Sequence, residues 1–338
     1  MVEIELKFQI SETRRTALLK ALDPKKSETI QLQAKYFDTP DRLLAQHGAA
    51  LRQRLEGACW IQTLKAAGKS HLHRFEHNHH LGELESSPEL DLSIYEAIPE
   101  AQQILTQALG VDAAALKLTF ETDIQRTYRV IVFEDAEIEV CLDVGVVRAS
   151  GREQTIHEVE FELKSGSVQS LLAFSFEWVK KYQLWLDVRS KAEMGNLLAL
   201  EQTVSPARFE KEFVLSKKES AAHNLSLLIG QQMQHLLPNI AAISAGVAEQ
   251  SHIDQAQTAL EHLQLTLALF KDWNSNISDK WAMQLAAFKH QFDHLQHLQH
   301  MQSTLGAFLQ NPTTTENLAK DILYAQEKLG NLVKSTQN

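Results

Sequence analysis

The 338-residue chain has only two cysteines, Cys59 and Cys141, in unrelated contexts and without metal-ligand spacing. Both read as small core residues in a reducing compartment. No apolar run approaches the ~18 residues of a membrane helix. The opening stretch MVEIELKFQI is acidic rather than basic-then-apolar, so neither a span nor a leader is expected, and the reading is a cytoplasmic protein. Positive charge is also short. The formal net charge of −10 excludes nucleic acid and anionic membranes as general partners, although a locally basic cavity stays open. No internal repeat, low-complexity tract or nucleophile triad stands out, and no arginine follows Arg208.

What is present is enough apolar material, 44%, for two cores. Up to about Leu200, period-2 runs dominate, at 2–10, 50–56, 59–65, 72–77, 126–133, 136–144 and 156–164, which is the strand signature. Helices are expected over Ser11–Leu22, Ala101–Leu109 and Ser167–Tyr182. From Ser205 on the pattern is helical. Leu260, Leu263, Leu267 and Phe270 form one stripe, and Leu318, Ile322, Leu329 and Val333 another. Pro238, Asn274–Asn276 and Asn311-Pro312 punctuate this half into about four helices. With Thr203–Pro206 as boundary, the domains are 1–202 and 206–338.

Several strands carry a charged face. Glu3, Glu5 and Lys7 share one parity, and so do Glu158, Glu160, Glu162 and Lys164. Glu137, Glu139 and Asp143 share a face that includes Cys141. Arg52 with Arg54, Arg74 with Glu76, and Lys65 complete the set. Like charges ~4 Å apart repel by roughly 4 kcal/mol at an effective dielectric near 20. A row of carboxylates therefore calls for a cation, and Mg²⁺ or Mn²⁺ suits carboxylate oxygens. Clustered Arg and Lys call for an anion such as phosphate. If the strands close with charged faces inward, the interior suits a linear polyphosphate with its metal.

In their order along the chain these residues resemble the CYTH superfamily, the triphosphate tunnel metalloenzymes. The E-x-E-x-K hallmark is Glu3-Ile4-Glu5-Leu6-Lys7, and the Y-[YF]-D-T segment is Tyr36 to Thr39. L-R-x-R is Leu51 to Arg54, W-x-x-T-x-K is Trp60 to Lys65, and R-x-E is Arg74 to Glu76. Thr122 to Arg126, Glu139 with Asp143, Glu158 to Lys164, and Ser190-Lys191-Ala192 match the later segments. The resemblance covers about residues 1–200. It implies an α+β fold: a closed eight-stranded antiparallel β tunnel flanked by helices, followed here by a C-terminal all-α bundle. It implies phosphate ligands at Lys7, Arg52, Arg54, Lys65, Arg126 and Lys191, with Arg74 ranked after them. Glu3, Glu5, Asp143, Glu160 and Glu162 would hold one or two Mg²⁺ or Mn²⁺ ions, and Glu158 ranks behind these. Glu5, Glu160, Glu162 and Lys65 are the expected catalytic residues.

The implied reaction is hydrolysis of inorganic triphosphate to pyrophosphate and phosphate. Converging cations suit a compact anion, whereas Trp60 and Tyr36 read as packing rather than as a base platform. The alternatives are a nucleoside or thiamine triphosphatase, a class IV-type adenylate cyclase, or a non-catalytic polyphosphate- or nucleotide-binding module. The helical half resembles a shortened, degenerate CHAD domain, with DQAQTALEH where His and Arg would cluster. Its plainer reading is a buttress or a homodimer interface. His71, His73, His77, His79 and His80, and the helical set His290, His294 and His297, read as a solvated loop and a solvated face rather than zinc sites.

Overall fold

In the computed structural model, which describes residues 2–70, 73–110, 116–212, 215–271, 275–308 and 312–336, the alternating runs become strands of one antiparallel sheet. They are β1 (Val2–Gln9), β2 (Glu28–Asp38), β3 (Ala49–Glu56), β4 (Cys59–Ser70), β5 (His73–Glu83), β6 (Lys117–Phe133), β7 (Ala136–Ala149), β8 (Arg152–Ser165) and β9 (Trp185–Leu186). The spatial order is β5-β4-β3-β2-β6-β7-β8-β1-β9, and β1 also pairs with β5. That extra pairing, Val2 to Phe75 through Ile4 to His73, closes eight strands into a ring.

The strand count is nine rather than the expected eight. β5 covers only the first part of one edge of β1. The two-residue β9 pairs with Phe8 and Gln9 farther along, where backbone groups would otherwise lack partners. β2 falls outside the charged-strand pattern although its sequence alternates. Its inward residues, Ile30, Leu32, Ala34 and Tyr36, carry no charge, so only the pairing to β3 and β6 reveals its place.

Paired residues in an antiparallel sheet share a face, so register alone traces one surface around the ring. Glu5 faces Glu162, Glu162 faces Glu139, Asp143 faces Arg126, Tyr36 faces Arg52, and Lys65 faces Glu76. The opposite parity is apolar and is covered by helices. Leu6, Phe8, Ile138, Val140, Val159 and Phe161 pack with residues of α1 (Arg15–Ala21) and α4 (Val168–Tyr182). Leu51, Leu64, Ala66 and Phe75 pack near α2 (Leu43–Gln46) and α3 (Pro99–Leu109). Phe161, fully buried, sits 5.3 Å from the Phe174 ring and 5.5 Å from Trp178, and burying such a side chain is worth roughly 1.5–3 kcal/mol. Ser167 caps α4 by accepting from the Ser170 amide, and Lys180 and Lys181 complement the dipole of its last turn.

The fifth helix, α5 (Lys191–Ala199), packs on the charged face instead. Its Met194, with Ala192 and Leu198, meets Leu32, Ala34, Tyr36, Phe120, Ile124, Val147 and Ile156. One end of the enclosed face is therefore apolar and filled by a helix, and the charged rows lie beyond it. Gly195 makes this possible: a Cβ there would come within 2.1 Å of the Phe120 ring.

The chain divides into two compact units, Met1–Ser205 and Pro206–Asn338. In the second, α6 (Ala221–Ser244), α7 (Gln250–Leu269), α8 (Ser275–Phe308) and α9 (Pro312–Thr336) share a core that includes Leu236, Ile240, Ile253, Leu260, Phe292, Leu329 and Val333. Pro238 does not end a helix, contrary to its reading as punctuation; α6 runs through it. The apolar stripe continues on both sides of the proline, and the Asn239 side chain donates to the His235 carbonyl at 2.8 Å. Tertiary packing outweighs the lost amide donor there.

Gly195→Ala is expected to lower stability by about 1–3 kcal/mol, since Phe120 is stacked on Tyr36 and has little room to yield. Urea unfolding checks this; an unchanged midpoint would show that α5 is not tightly seated.

Candidate active site in the charged tunnel

Three cross-strand rows build the site. The first joins Glu5, Glu162 and Glu139 across β1, β8 and β7. The second joins Lys7, Glu160 and Cys141. The third joins Gln9, Glu158 and Asp143 and continues to Arg126 on β6. Glu5, Lys7, Asp143 and Glu158 are all buried. Carboxylate oxygens of Asp143, Glu158 and Glu160 lie within 4.8 Å of one another, the sole group of three potential metal ligands among the described residues. All three donors are hard oxygens, and such a set fits Mg²⁺ or Mn²⁺ better than a thiophilic ion. Glu158, ranked last from sequence, is thus one of the three clustered carboxylates, while Glu5 and Glu162 form a cross-strand pair in a neighbouring row.

Cations interleave with these acids. Arg126 donates from Nε and Nη2 to the two Asp143 oxygens at 2.7 Å each, and from Nη2 to Glu160 at 2.5 Å. Lys191 reaches Asp143 at 2.7 Å and Glu160 at 2.8 Å, and also contacts Glu158. Lys164 bridges Glu162 at 2.9 Å and Glu139 at 3.2 Å. On the opposite wall Glu76 holds Lys65 at 2.8 Å and lies 3.9 Å from Arg52, and Arg54 pairs with Glu56. Asn78 donates to Glu76 at 3.0 Å and accepts from Thr63 at 2.7 Å, a supporting chain that the motif reading did not include.

Some donors are left over. The Lys7 ammonium is buried, makes no hydrogen bond and lies 3.6 Å from Glu158. The Nε groups of Arg52 and Arg54 are buried without partners as well. Leaving a buried donor unsatisfied costs about 1–3 kcal/mol each. Such cost is tolerated where a ligand supplies the missing acceptors.

The field of the site appears in its titration. Burial pushes the Arg54 guanidinium down, helped by Arg52, to about 10. Burial also opposes ionisation of Glu160, but Lys191 and Arg126 outweigh it and hold the carboxyl well below the usual range. Asp143 is lowered in the same way, with Arg126 and Lys191 overcoming burial. For Glu158 burial wins over Lys191 and Lys7, and its pKa is raised. Burial pushes the Tyr36 hydroxyl up, yet Arg52, Lys191 and Arg54 bring it below its ordinary value.

Tyr36 stacks on Phe120 with centroids 4.4 Å apart and accepts a long hydrogen bond of 3.4 Å from Arg52. It packs, as its motif context implied, and also touches the cation cluster. Arg189, not singled out from sequence, is clamped to buried Asp187 at 2.7 and 3.0 Å, beside the Lys7 backbone. The side chains of Glu3 and Arg74 lie outside the described residues, as do those of His71 and His73; the Glu3 and Arg74 backbones pair across β1 and β5. His77 packs edge-on against Tyr95, and His79, His80, His290, His294 and His297 are exposed.

The acid response follows from these shifts. Asp143 and Glu160 titrate lower in the folded chain than unfolded. Their contribution is therefore complete above about pH 4.5 and is lost as pH falls through the folded values. Glu158, shifted upward, acts in the opposite sense and offsets part of the loss. Thermal unfolding in chelator should show melting temperature falling below about pH 4.5, and Glu160→Gln should shallow that fall. An identical slope in the variant would show that Glu160 has an ordinary pKa.

A profile of the CYTH domain matches residues 1–195. An inorganic triphosphatase from Haemophilus influenzae is 33% identical over 227 residues, which is 65% of this chain and 62% of that protein. The chain thus spans about three-fifths of that relative's length. Among solved structures, an adenylate cyclase-type protein from Bacillus halodurans is similar at 23% identity, covering 53% of this chain and 89% of that one, with a TM-score of 0.39. An adenylyl cyclase-type protein from Hippeastrum with a dominant triphosphatase activity is similar at 18% identity, covering 60% and 97%, with a TM-score of 0.42. These structural likenesses are too distant to bear on activity. With more than half of its length matched by the domain profile, the chain belongs to the CYTH family.

Proposed function

We propose that the tunnel hydrolyses inorganic triphosphate to pyrophosphate and phosphate with a divalent cation, Mg²⁺ or Mn²⁺. The observation that carries the reading is the set of buried, unmatched donors at Lys7, Arg52 and Arg54 on one enclosed face with a carboxylate cluster. Donors of that kind need acceptor oxygens, and clustered carboxylates need a cation, so a polyphosphate–metal pair answers both. The relative named an inorganic triphosphatase supports the same substrate class.

In this reading Lys7, Arg52, Arg54, Lys65, Arg126 and Lys191 bind the phosphate oxygens and hold the anion extended along the tunnel. Arg74 is proposed beside them. Asp143, Glu160 and Glu158, with Glu3, Glu5 and Glu162, hold the metal. When bound, that metal supplies charge neutralisation at the phosphates and a more acidic water. Glu76 keeps Lys65 and Arg52 aimed inward. Cationic side chains placed in advance around the developing charge provide most of the catalysis in such a site. Neither Tyr36, buried against Phe120, nor Trp60, on the opposite parity of its strand from Ile61 and Thr63, offers a nucleotide base an open platform; the half-exposed Tyr128, opposite Cys141, is the aromatic side chain on the charged face that a base would meet. The second reading, an adenylate cyclase, draws only on the names of similar structures.

We assign residues 1–202 to the catalytic tunnel and 206–338 to a degenerate CHAD-like bundle. No helix among the described residues is long and apolar enough to cross a membrane. The compartment proposed is the cytoplasm.

A panel of triphosphate, ATP, GTP and thiamine triphosphate with Mg²⁺ or Mn²⁺ tests the function by phosphate release. Triphosphate should be cleaved fastest, whereas faster cleavage of a nucleotide, or cyclic AMP as product, would overturn the ranking. Glu5→Ala should retain the fold, checked by circular dichroism, and lose roughly 10²-fold or more in turnover. Full activity in that variant would remove Glu5 from the metal set. Lys65→Ala should raise KM and lower kcat together, and an unchanged profile would take Lys65 out of the site.

A further inference from the structure

Lys191 opens α5, where the helix dipole disfavours a cation. Its ammonium nevertheless lies 2.7 Å from Asp143 and 2.8 Å from Glu160, and it also contacts Glu158. These are the three carboxylates whose oxygens converge within 4.8 Å. Arg126 approaches Asp143 and Glu160 as well, but through a strand position fixed by register opposite Asp143. Lys191 is the cation that contacts all three, and it does so from a long flexible side chain.

An ammonium and a divalent ion cannot share that cage at full strength. Each oxygen has limited lone-pair capacity, and the two cations repel at such range. Building on the triphosphatase reading, we propose that Lys191 is the internal counterion of the metal cage and must leave it for a divalent cation to bind. The displaced ammonium then turns to a phosphate oxygen of the anion that accompanies the metal. Metal and triphosphate thereby raise each other's affinity, since each favours the arrangement the other needs. Lys65 offers the contrast. It lies in the same tunnel, where its charge also acts on Glu160, but its ammonium is paired with Glu76 at 2.8 Å.

Equilibrium Mn²⁺ binding, followed by electron paramagnetic resonance without any phosphate, separates competition from general charge. Lys191→Met is expected to bind Mn²⁺ at least ~10-fold more tightly than the native chain, and Lys65→Met less than ~3-fold. A second measurement needs no variant: reductive methylation mapped by mass spectrometry should show Lys191 becoming several-fold more reactive as Mn²⁺ saturates. Equal tightening in both variants, unchanged or weaker binding in Lys191→Met, or flat Lys191 reactivity despite Mn²⁺ binding would overturn the proposal while leaving the triphosphatase reading intact. Failure of the native chain and of Lys191→Met alike to bind Mn²⁺ would overturn the metal assignment on which both rest.

Discussion

Charge compensation inside an enclosed sheet is the constraint on which the molecule depends. Buried Asp143 and Glu158, with Glu160 beside them, would drive the strands apart if each stood alone. Arg126 answers them from the adjacent strand and Lys191 from the start of α5, and Lys164 answers Glu139 and Glu162 in the neighbouring row. Antiparallel register makes the match possible, because it sets residues of consecutive strands opposite each other on one face. A one-residue slip of β8 would carry Glu158, Glu160 and Glu162 outward and bring Val159 and Phe161 into the charged space. The apolar outer face, fixed by α1 and α4, guards against that slip.

The balance is incomplete, chiefly among the cations, with one Glu56 oxygen also unsatisfied. Lys7 and the inner nitrogens of Arg52 and Arg54 lack hydrogen-bond partners, whereas Asp143 and Glu160 are each contacted by more than one cation. An anion entering such a space gains donors already stripped of water, and its binding does not require them to be reorganised. The proposed anion binding would draw on these unsatisfied donors.

α5 connects fold to site. Its apolar side completes the interior near Tyr36 and Phe120, and its first residue delivers Lys191 to the carboxylates. Gly195 permits the close approach to Phe120, Phe120 stacks on Tyr36, and Tyr36 contacts Arg52. Packing at one end of the tunnel is therefore mechanically continuous with cation placement in its middle. Sequence similarity to a triphosphatase spans about three-fifths of that relative. The residues argued to do the chemistry belong to the first compact unit, and the helical unit keeps its own core.

Much of this was legible in the chain itself. Alternation placed Glu5 with Lys7 and Glu160 with Glu162 on single faces, because a strand has a strict two-residue period. The helices expected over Ala101–Leu109 and Ser167–Tyr182 are found at Pro99–Leu109 and Val168–Tyr182. Other features depended on partners distant in sequence. The neutral inward face of β2, the extra strand β9 and the passage of α6 through Pro238 were set by pairing and packing, which local pattern does not encode. By itself the sequence determined which residues share a face and the signs of their charges. Only the tertiary structure decided which face turns inward, that Glu158 rather than Glu162 joins Asp143 and Glu160, and that Lys191 sits among them. The physical reason is that parity is a property of one strand, whereas proximity between carboxylates depends on the stagger of neighbouring strands and on where a helix is seated.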